Sequence, residues 1–163
     1  MLNYGAAAQV MFQYNLDNLA NAALTEEDKV LADVDASAFA YQLTGEEEGI
    51  VLKNACLILE SETAIRVKFE LTGDKTIDEY TFTIDGEEVT PEDCGSGIYA
   101  VYVKGIAPRN LDEMHTFAVG GLTLNYCGLS YVNTVLSMEA EEALVNAVKA
   151  LFGYYTAAEA AFN

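Results

Sequence analysis

Hydrophobic and polar residues change their spacing twice along this chain of 163 residues. In the last segment apolar residues recur every three or four positions, which lines one face of an α-helix. These residues are Leu144, Val148, Leu151, Tyr155, Ala158 and Phe162. Residues 1 to about 14 also predict a helix, which is rich in Ala. From Gly49 to Cys127 the spacing becomes two, which is typical of β-strands with one buried face.

The middle segment predicts about seven strands separated by turn signals. In the clearest of them, Ala64–Leu71, apolar residues alternate with Arg, Lys and Glu. Asp85-Gly86 and Gly120-Gly121 are two-residue hairpin signals. The other predicted strands are Ile50–Leu59, Tyr80–Ile84, Glu87–Thr90, Ile98–Lys104, Thr116–Val119 and Leu122–Cys127, and a further short strand at Phe39–Leu43 is an open alternative to a loop.

These elements predict an α+β fold: an immunoglobulin-like antiparallel β-sandwich flanked by N- and C-terminal Ala-rich helices. A single open sheet covered by the terminal helices is the alternative. We expect residues 1–163 to form a single domain, with an N-terminal helical segment at 1–24, the sandwich at 49–127 and C-terminal helices at 129–163. The link Gly105–Leu111 is expected to cross between the sheets, because its proline rules out a central strand there.

Several helix boundaries can also be predicted. Ser137 is placed to cap the last helix, and the acidic residues that follow it suit the positive end of the helix dipole. Gly153 costs this helix about 1 kcal/mol relative to Ala. A close helix–helix contact would explain this glycine, and simple tolerance is the alternative. Leu16–Ala22 predicts a second short helical piece, and Thr25–Asp28 has the spacing of a capping box.

The two ends of the chain resemble each other. Shifted by 150 positions, Tyr154–Asn163 aligns with Tyr4–Gln13 and is identical at four of ten positions. This similarity indicates that one helix pattern both opens and closes the unit, as a chain of similar units requires. On that interpretation Met1 is an internal residue of a longer protein. The alternative is that two Ala-rich helices of one domain match by chance at small residues.

Charge and cysteine content exclude several classes of function. The net charge of −18 repels phosphate backbones and anionic lipids, so we expect no nucleic-acid binding and no membrane-surface binding. The longest apolar runs are too short for membrane insertion. The cysteines Cys56, Cys94 and Cys127 are odd in number and contain no CxxC pair, so they predict neither a disulfide framework nor a zinc site. We expect Cys56 and Cys127 to be buried and Cys94 to lie in an exposed loop.

The residues that could carry chemistry each have a structural interpretation. His115 is the single histidine, and its spacing from Phe117 places it at the edge of the core. Asp112-Glu113 could form an acid–base group with it, but Ser130 and Ser137 lack the context of a nucleophile. We therefore predict no catalytic residue, no cofactor and no enzymatic activity.

A calcium site is suggested only weakly. Asp33-Val-Asp35 begins like a calcium loop, but Ala38 stands where glycine is needed and Thr44 where a bidentate glutamate is needed. The acidic run Glu46–Glu48 is expected to be a solvated turn. We predict no metal-binding residue, and leave open a weak calcium site made from such acidic clusters.

The amino-acid sequences of the helical segments resemble those of a known kind of module. Leu2–Gln9 reads Leu-Asn-Tyr-Gly-Ala-Ala-Ala-Gln, and Leu129–Leu136 reads Leu-Ser-Tyr-Val-Asn-Thr-Val-Leu before the closing helix. With the strand-rich middle, this arrangement resembles a repeated helix and β-sandwich module of secreted surface proteins of anaerobic gut bacteria. The resemblance implies an extracellular location and modular use, and it assigns no functional residues.

The expected function is therefore a non-catalytic structural or adhesion module of a larger extracellular bacterial protein. Its partners would be neighbouring modules or other surface proteins. The alternative is a glycan- or peptide-binding β-sandwich. The composition of ten Tyr and no Trp makes glycan binding less favoured, because sugar-binding sandwiches stack their ligands on exposed aromatic rings.

Overall fold

The computed structural model describes residues 4–15 and 30–162. The described residues contain three α-helices: α1 (Tyr4–Asn15), α2 (Gly128–Leu136) and α3 (Glu142–Phe162). They also contain nine strands: β1 (Gln42–Thr44), β2 (Ile50–Leu59), β3 (Thr63–Leu71), β4 (Phe82–Ile84), β5 (Glu87–Val89), β6 (Glu92–Asp93), β7 (Ile98–Lys104), β8 (His115–Val119) and β9 (Leu122–Tyr126). Short 3₁₀ helices lie at Ser37–Phe39, Ile77–Glu79 and Pro108–Asn110. The predicted α+β class is confirmed.

The chain forms two compact units. A helical unit groups the described parts of Met1–Ala38 with Ala107–Leu111 and Val132–Asn163, and a strand unit comprises Phe39–Ile106 and Asp112–Tyr131. The predicted helical piece at Leu16–Ala22 and the capping box at Thr25–Asp28 lie outside the described residues, as does the later part of the 1–24 segment.

The strand unit contains two antiparallel sheets. One has five strands in the order β1-β9-β8-β4-β5, and the other has four in the order β2-β3-β7-β6. The link from β7 to β8 passes from one sheet to the other, as predicted for Gly105–Leu111. Pro108 begins a 3₁₀ helix in this link, where its missing N–H costs no ladder bond.

Both sheets contribute to one hydrophobic core. Ile65, Val67 and Phe69 alternate along β3 and are almost completely buried, which confirms the period-two prediction. From the other sheet, Phe82 meets Phe69 edge-on with ring centroids 5.4 Å apart. Tyr126 of β9 donates its hydroxyl hydrogen to the carbonyl oxygen of Ala55 on β2. Two antiparallel sheets with a common core are compatible with a β-sandwich.

The hairpin signals are confirmed. Asp85 and Gly86 both have positive φ, as a type I′ turn requires, and they join β4 to β5. Gly120-Gly121 joins β8 to β9, with Val119 paired to Leu122.

One short strand was predicted only as an alternative to a loop, and another was not predicted. Within Phe39–Leu43, Phe39 is the last residue of a 3₁₀ helix, and β1 begins at Gln42. Glu92–Asp93 forms β6, although acidic residues are depleted in strands. It forms because β7 offers a free edge, to which it pairs through Ala100 and Tyr99.

The helical unit is built from α1 and α3. Among the side chains of α1 that the structure describes, Ala7, Val10 and Met11 are buried; those buried in α3 are Val148, Ala150, Leu151, Tyr155, Ala157 and Ala158. The predicted apolar stripe is therefore buried at its centre, while Leu144 and Phe162 at its ends are exposed. Lys149 of α3 forms an exposed ion pair with Asp33, with the nitrogen 3.3 Å from the oxygen.

The start of the last helix differs from the prediction. The N–H of Ser137 donates to the carbonyl oxygens of Asn133 and Thr134, so this residue ends α2 and does not cap α3. The helix α3 begins at Glu142. The carbonyl oxygen of the preceding residue, Glu141, accepts hydrogen bonds from the N–H groups of Leu144 and Val145. At the start of α2, the hydroxyl oxygen of Ser130 accepts a hydrogen bond from the N–H of Cys127.

Gly153 gives a direct test of helix propensity. Apart from the backbone of its own helix, no atom of the described residues lies within 4 Å of the position that a Cβ would occupy, so the close-contact explanation of this glycine is wrong. We expect Gly153→Ala to raise the free energy of unfolding by up to about 1 kcal/mol, because alanine loses less backbone entropy in a helix. Urea denaturation followed by circular dichroism measures the change. A loss of stability would contradict the open environment of this residue.

Candidate functional site

A cleft opens in the strand unit between the edges of the two sheets. The strand β1 is one edge of the five-stranded sheet, and β2 is one edge of the four-stranded sheet. The cleft has a volume of about 390 Å³. Its lining includes five aliphatic residues from the two sheets: Leu43, Ile50, Val51, Leu52 and Leu122. The cleft is therefore an opening towards the hydrophobic core.

The loop from β1 to β2 shapes one wall of this cleft. Gly45 and Gly49 both have positive φ, which other residues adopt only with strain. A Cβ on Gly45 would also collide with the carbonyl of Gly121. The carboxylate of Glu47 accepts a hydrogen bond from the N–H of Gly121 at 2.9 Å, and the Tyr80 hydroxyl donates to the carbonyl of Glu48 at 2.8 Å. The loop is thus held against the β8–β9 hairpin.

The rim of the cleft is acidic. Glu46 and Glu47 both line it, and Thr72 adds a hydroxyl. From the sequence, Glu46–Glu48 was expected to be a solvated turn, and the cleft was not predicted. The signal available in the sequence was the pair of glycines that flanks this acidic run.

His115 binds a carboxylate that the sequence analysis did not associate with it. Its Nδ1 lies 2.7 Å from Oδ2 of Asp85, in the hairpin turn 30 residues away. The other oxygen of Asp85 accepts a hydrogen bond from the N–H of Thr116. From the sequence, the adjacent pair Asp112-Glu113 was the candidate for an acid–base group with His115. The histidine side chain is 13% exposed, in agreement with a place at the edge of the core.

This contact has a measurable pH dependence. Partial burial raises the pKa of Asp85, but the hydrogen bonds from His115 and Thr116 outweigh it and leave the pKa below its ordinary value. A carboxyl whose pKa is lowered in the folded state stabilises the fold above its unfolded pKa, near 4, and loses that contribution as the pH falls through the folded pKa.

We therefore expect Asp85→Asn to lower the free energy of unfolding at pH 7 by about 1 kcal/mol, a small value because the carboxylate is half-exposed. The difference should shrink below about pH 4. Urea denaturation of both proteins at pH 7 and pH 2.5 measures it, and Asp112→Asn is the control with the same charge change. An equal loss in both variants at pH 7 would contradict the assignment.

The cysteines and the buried tyrosine serve packing. Cys127 is buried and Cys94 is exposed, as predicted, whereas Cys56 is only partly buried. An Arg66 guanidinium nitrogen lies 3.5 Å from the sulfur of Cys56. Burial raises the pKa of the Tyr126 hydroxyl well above its ordinary value. The three cysteines and Tyr126 are not among the residues that line the cleft.

The candidate calcium loop is used in local contacts. The carboxylate of Asp35 accepts a hydrogen bond from the N–H of Ser37. Hydrogen bonds from the side chain and the backbone of Ser37 lower the pKa of Asp35. Asp33 pairs with Lys149. Within residues 4–15 and 30–162, no group of three or more His, Cys, Asp or Glu side chains is arranged to hold a metal ion.

Comparison of the chain with models of known protein families, with curated proteins and with solved structures finds no match. In the described part of the chain, no helix has the length and hydropathy needed to cross a membrane. The resemblance to modules of bacterial surface proteins therefore stays a prediction, and the cleft is a candidate site within the described part of the chain.

Proposed function

We propose that the chain is a non-catalytic structural or adhesion module of a larger extracellular bacterial protein. The observation that carries this proposal is the contact between the opening and closing helices. Tyr4 stacks on Tyr154 with ring centroids 5.2 Å apart, and their hydroxyls are hydrogen-bonded at 2.8 Å. The Tyr4 ring also meets the Phe162 ring edge-on, with ring centroids 5.2 Å apart. The start of α1 therefore lies beside the end of α3.

We call this contact between α1 and α3 the helical joint, and the similarity between the two ends of the chain supports it. Tyr4 and Tyr154 are equivalent positions in the 150-residue shift, and they are the two residues that stack. Burial and the hydrogen bond to Tyr4 raise the pKa of Tyr154 above its ordinary value, so the Tyr154 hydroxyl keeps its proton at neutral pH. A module whose entry and exit are adjacent can be joined to a longer chain at one place without strain.

The arrangement of hairpins supports the finer assignment of an immunoglobulin-like body. The hairpins β2–β3 and β6–β7 lie in one sheet, and β4–β5 and β8–β9 lie in the other. In each sheet the inner strands of the two hairpins are neighbours, β3 with β7 and β4 with β8. Immunoglobulin-like sandwiches combine hairpins in the same way.

Insertion into a reporter protein tests the modular proposal. Residues 1–163 are placed in a surface loop of a green fluorescent protein through two short Gly-Ser linkers. We expect a fluorescent fusion whose inserted module melts at the temperature of the free chain, because adjacent ends do not pull the loop apart. The control is insertion of a helical-bundle domain of similar length with distant termini. Loss of fluorescence with both inserts, while the free chain folds, would overturn the proposal.

The second candidate function is ligand binding, and the cleft favours it. A pocket of several hundred cubic ångströms with aliphatic walls and a few polar groups is typical of binding sites. Its walls are aliphatic, whereas glycan sites present aromatic rings for stacking, so a peptide is the better ligand.

A further inference from the structure

We propose that the cleft between β1 and β2 binds an extended, basic peptide. In this mode the peptide backbone pairs with the free edge of β1, one apolar side chain enters the cleft, and neighbouring Lys or Arg side chains meet the acidic rim. The inference rests on the second candidate function and is independent of the modular proposal.

Among the described strands, only β9 pairs with the backbone of β1. This strand pairs with β9 on one side and is the edge of its sheet on the other. All three of its residues, Gln42–Thr44, are exposed. In an edge strand the outward N–H and C=O groups are a template for one more strand, and peptides use such edges by adding to the sheet.

The apolar lining of the cleft suits a peptide side chain. Among the aliphatic residues that line the cleft, Leu43 is 44% exposed and so accessible to a ligand. Leu43 is paired with Leu124, which is buried in the core, so both side chains lie on the core-facing side of the sheet. Side chains of an extended peptide point alternately to the two faces, so every second one would face the opening.

Charge selects a basic peptide over a second copy of this chain. Glu46 and Glu47 line the opening, and Glu48 follows them. With a net charge of −18, two copies would bring carboxylates against carboxylates. On the adjacent strand β2, Lys53 is already paired with Glu70 at 2.7 Å, so it does not neutralise the rim. A cationic segment removes this repulsion and gains attraction within a Debye length.

The test uses two fluorescein-labelled heptapeptides, one of alternating Lys and Val and one of alternating Lys and Ser. They carry the same charge, and only the first has apolar side chains. Fluorescence anisotropy in 150 mM NaCl should show saturable binding of the Lys–Val peptide, about tenfold tighter than that of the Lys–Ser peptide. Amide chemical-shift changes in the ¹⁵N-labelled protein should be concentrated at residues 41–52 and 122.

Variants at the two edges of the five-stranded sheet provide a matched control. Glu46→Lys lies at the cleft, whereas Glu88→Lys makes the same charge change on β5 at the opposite edge. We expect Glu46→Lys to weaken Lys–Val binding about tenfold and Glu88→Lys to weaken it far less. Leu43→Asp should abolish binding. Because the Leu43 side chain is half-exposed, we expect this variant to fold, and its melting temperature checks that it does.

The outcomes separate the possible occupants. Equal binding of the two peptides, or equal effects of the two charge variants, would show non-specific attraction to an acidic surface and overturn the proposal. Chemical-shift changes away from the cleft, or no saturable binding at millimolar peptide, would do the same. Self-association that Leu43→Asp removes, without peptide binding, would assign the cleft to a second copy. None of these results bears on the insertion experiment, so the two proposals fail separately.

Discussion

A chain that ends at Ser137 should lose the cooperative melt of the helical unit and expose apolar surface. The truncation removes α3 and the six buried residues that it contributes. The buried face of α1 then loses the helix against which it packs, and a helix of 12 residues is not stable alone in water. We expect a loss of helical circular dichroism beyond the share of the deleted residues, and aggregation or binding of a hydrophobic dye. Thermal melting followed at 222 nm measures the first effect.

A shorter deletion is the control for this truncation. Removing only residues 162 and 163 deletes Phe162, which is 56% exposed, and leaves every buried residue of α3 in place. We expect this variant to lose the edge-on contact with Tyr4 and to change the free energy of unfolding by only about 1 kcal/mol. If the chain ending at Ser137 melts like the intact protein, α3 does not support the helical unit.

Phe82→Ala should lower the free energy of unfolding of the strand unit by about 3–5 kcal/mol, because it leaves a cavity where the two sheets meet. Phe82 and Phe69 are both 2% exposed and belong to different sheets. Urea denaturation followed by tyrosine fluorescence measures the loss. Phe152→Ala, in the partly buried part of α3, is the comparison and should cost the strand unit much less.

A double-mutant cycle shows whether the sheets share this core. We expect Phe69→Leu and Phe82→Leu to be coupled by about 0.5–1.5 kcal/mol, as ring pairs in contact are. Strictly additive losses would mean that the two rings do not meet, and would contradict the common core of the two sheets.

The regular elements could be predicted from the sequence because their signals are local. β3 alternates apolar and polar residues over its whole length, and the Asp85-Gly86 turn needs two positive φ values that these residue types supply. The helices α2 and α3 have apolar residues at helical spacing. In each case the chemistry of neighbouring residues decides the structure, and the prediction was confirmed.

The missed elements depend on partners distant in sequence. Glu92–Asp93 has no apolar residue and becomes a strand only because β7 lies beside it. The cleft likewise combines Leu43 and Ile50 with Leu122, more than 70 residues later. Asp85 meets His115 across 30 residues through the pairing of β4 with β8. No local pattern in the sequence encodes these contacts.

The most direct test of the account is the distance between the rings of Tyr4 and Tyr154. In protein with isotope-labelled tyrosine and phenylalanine rings, nuclear Overhauser effects should connect Tyr4 to both Tyr154 and Phe162, with rings about 5.2 Å apart in each pair. The Tyr4→Ala variant should lose these signals and leave those between Phe69 and Phe82 unchanged. If Tyr4 shows no contact with either ring while the core signals are present, the opening and closing helices do not form a joint, and the modular account is wrong.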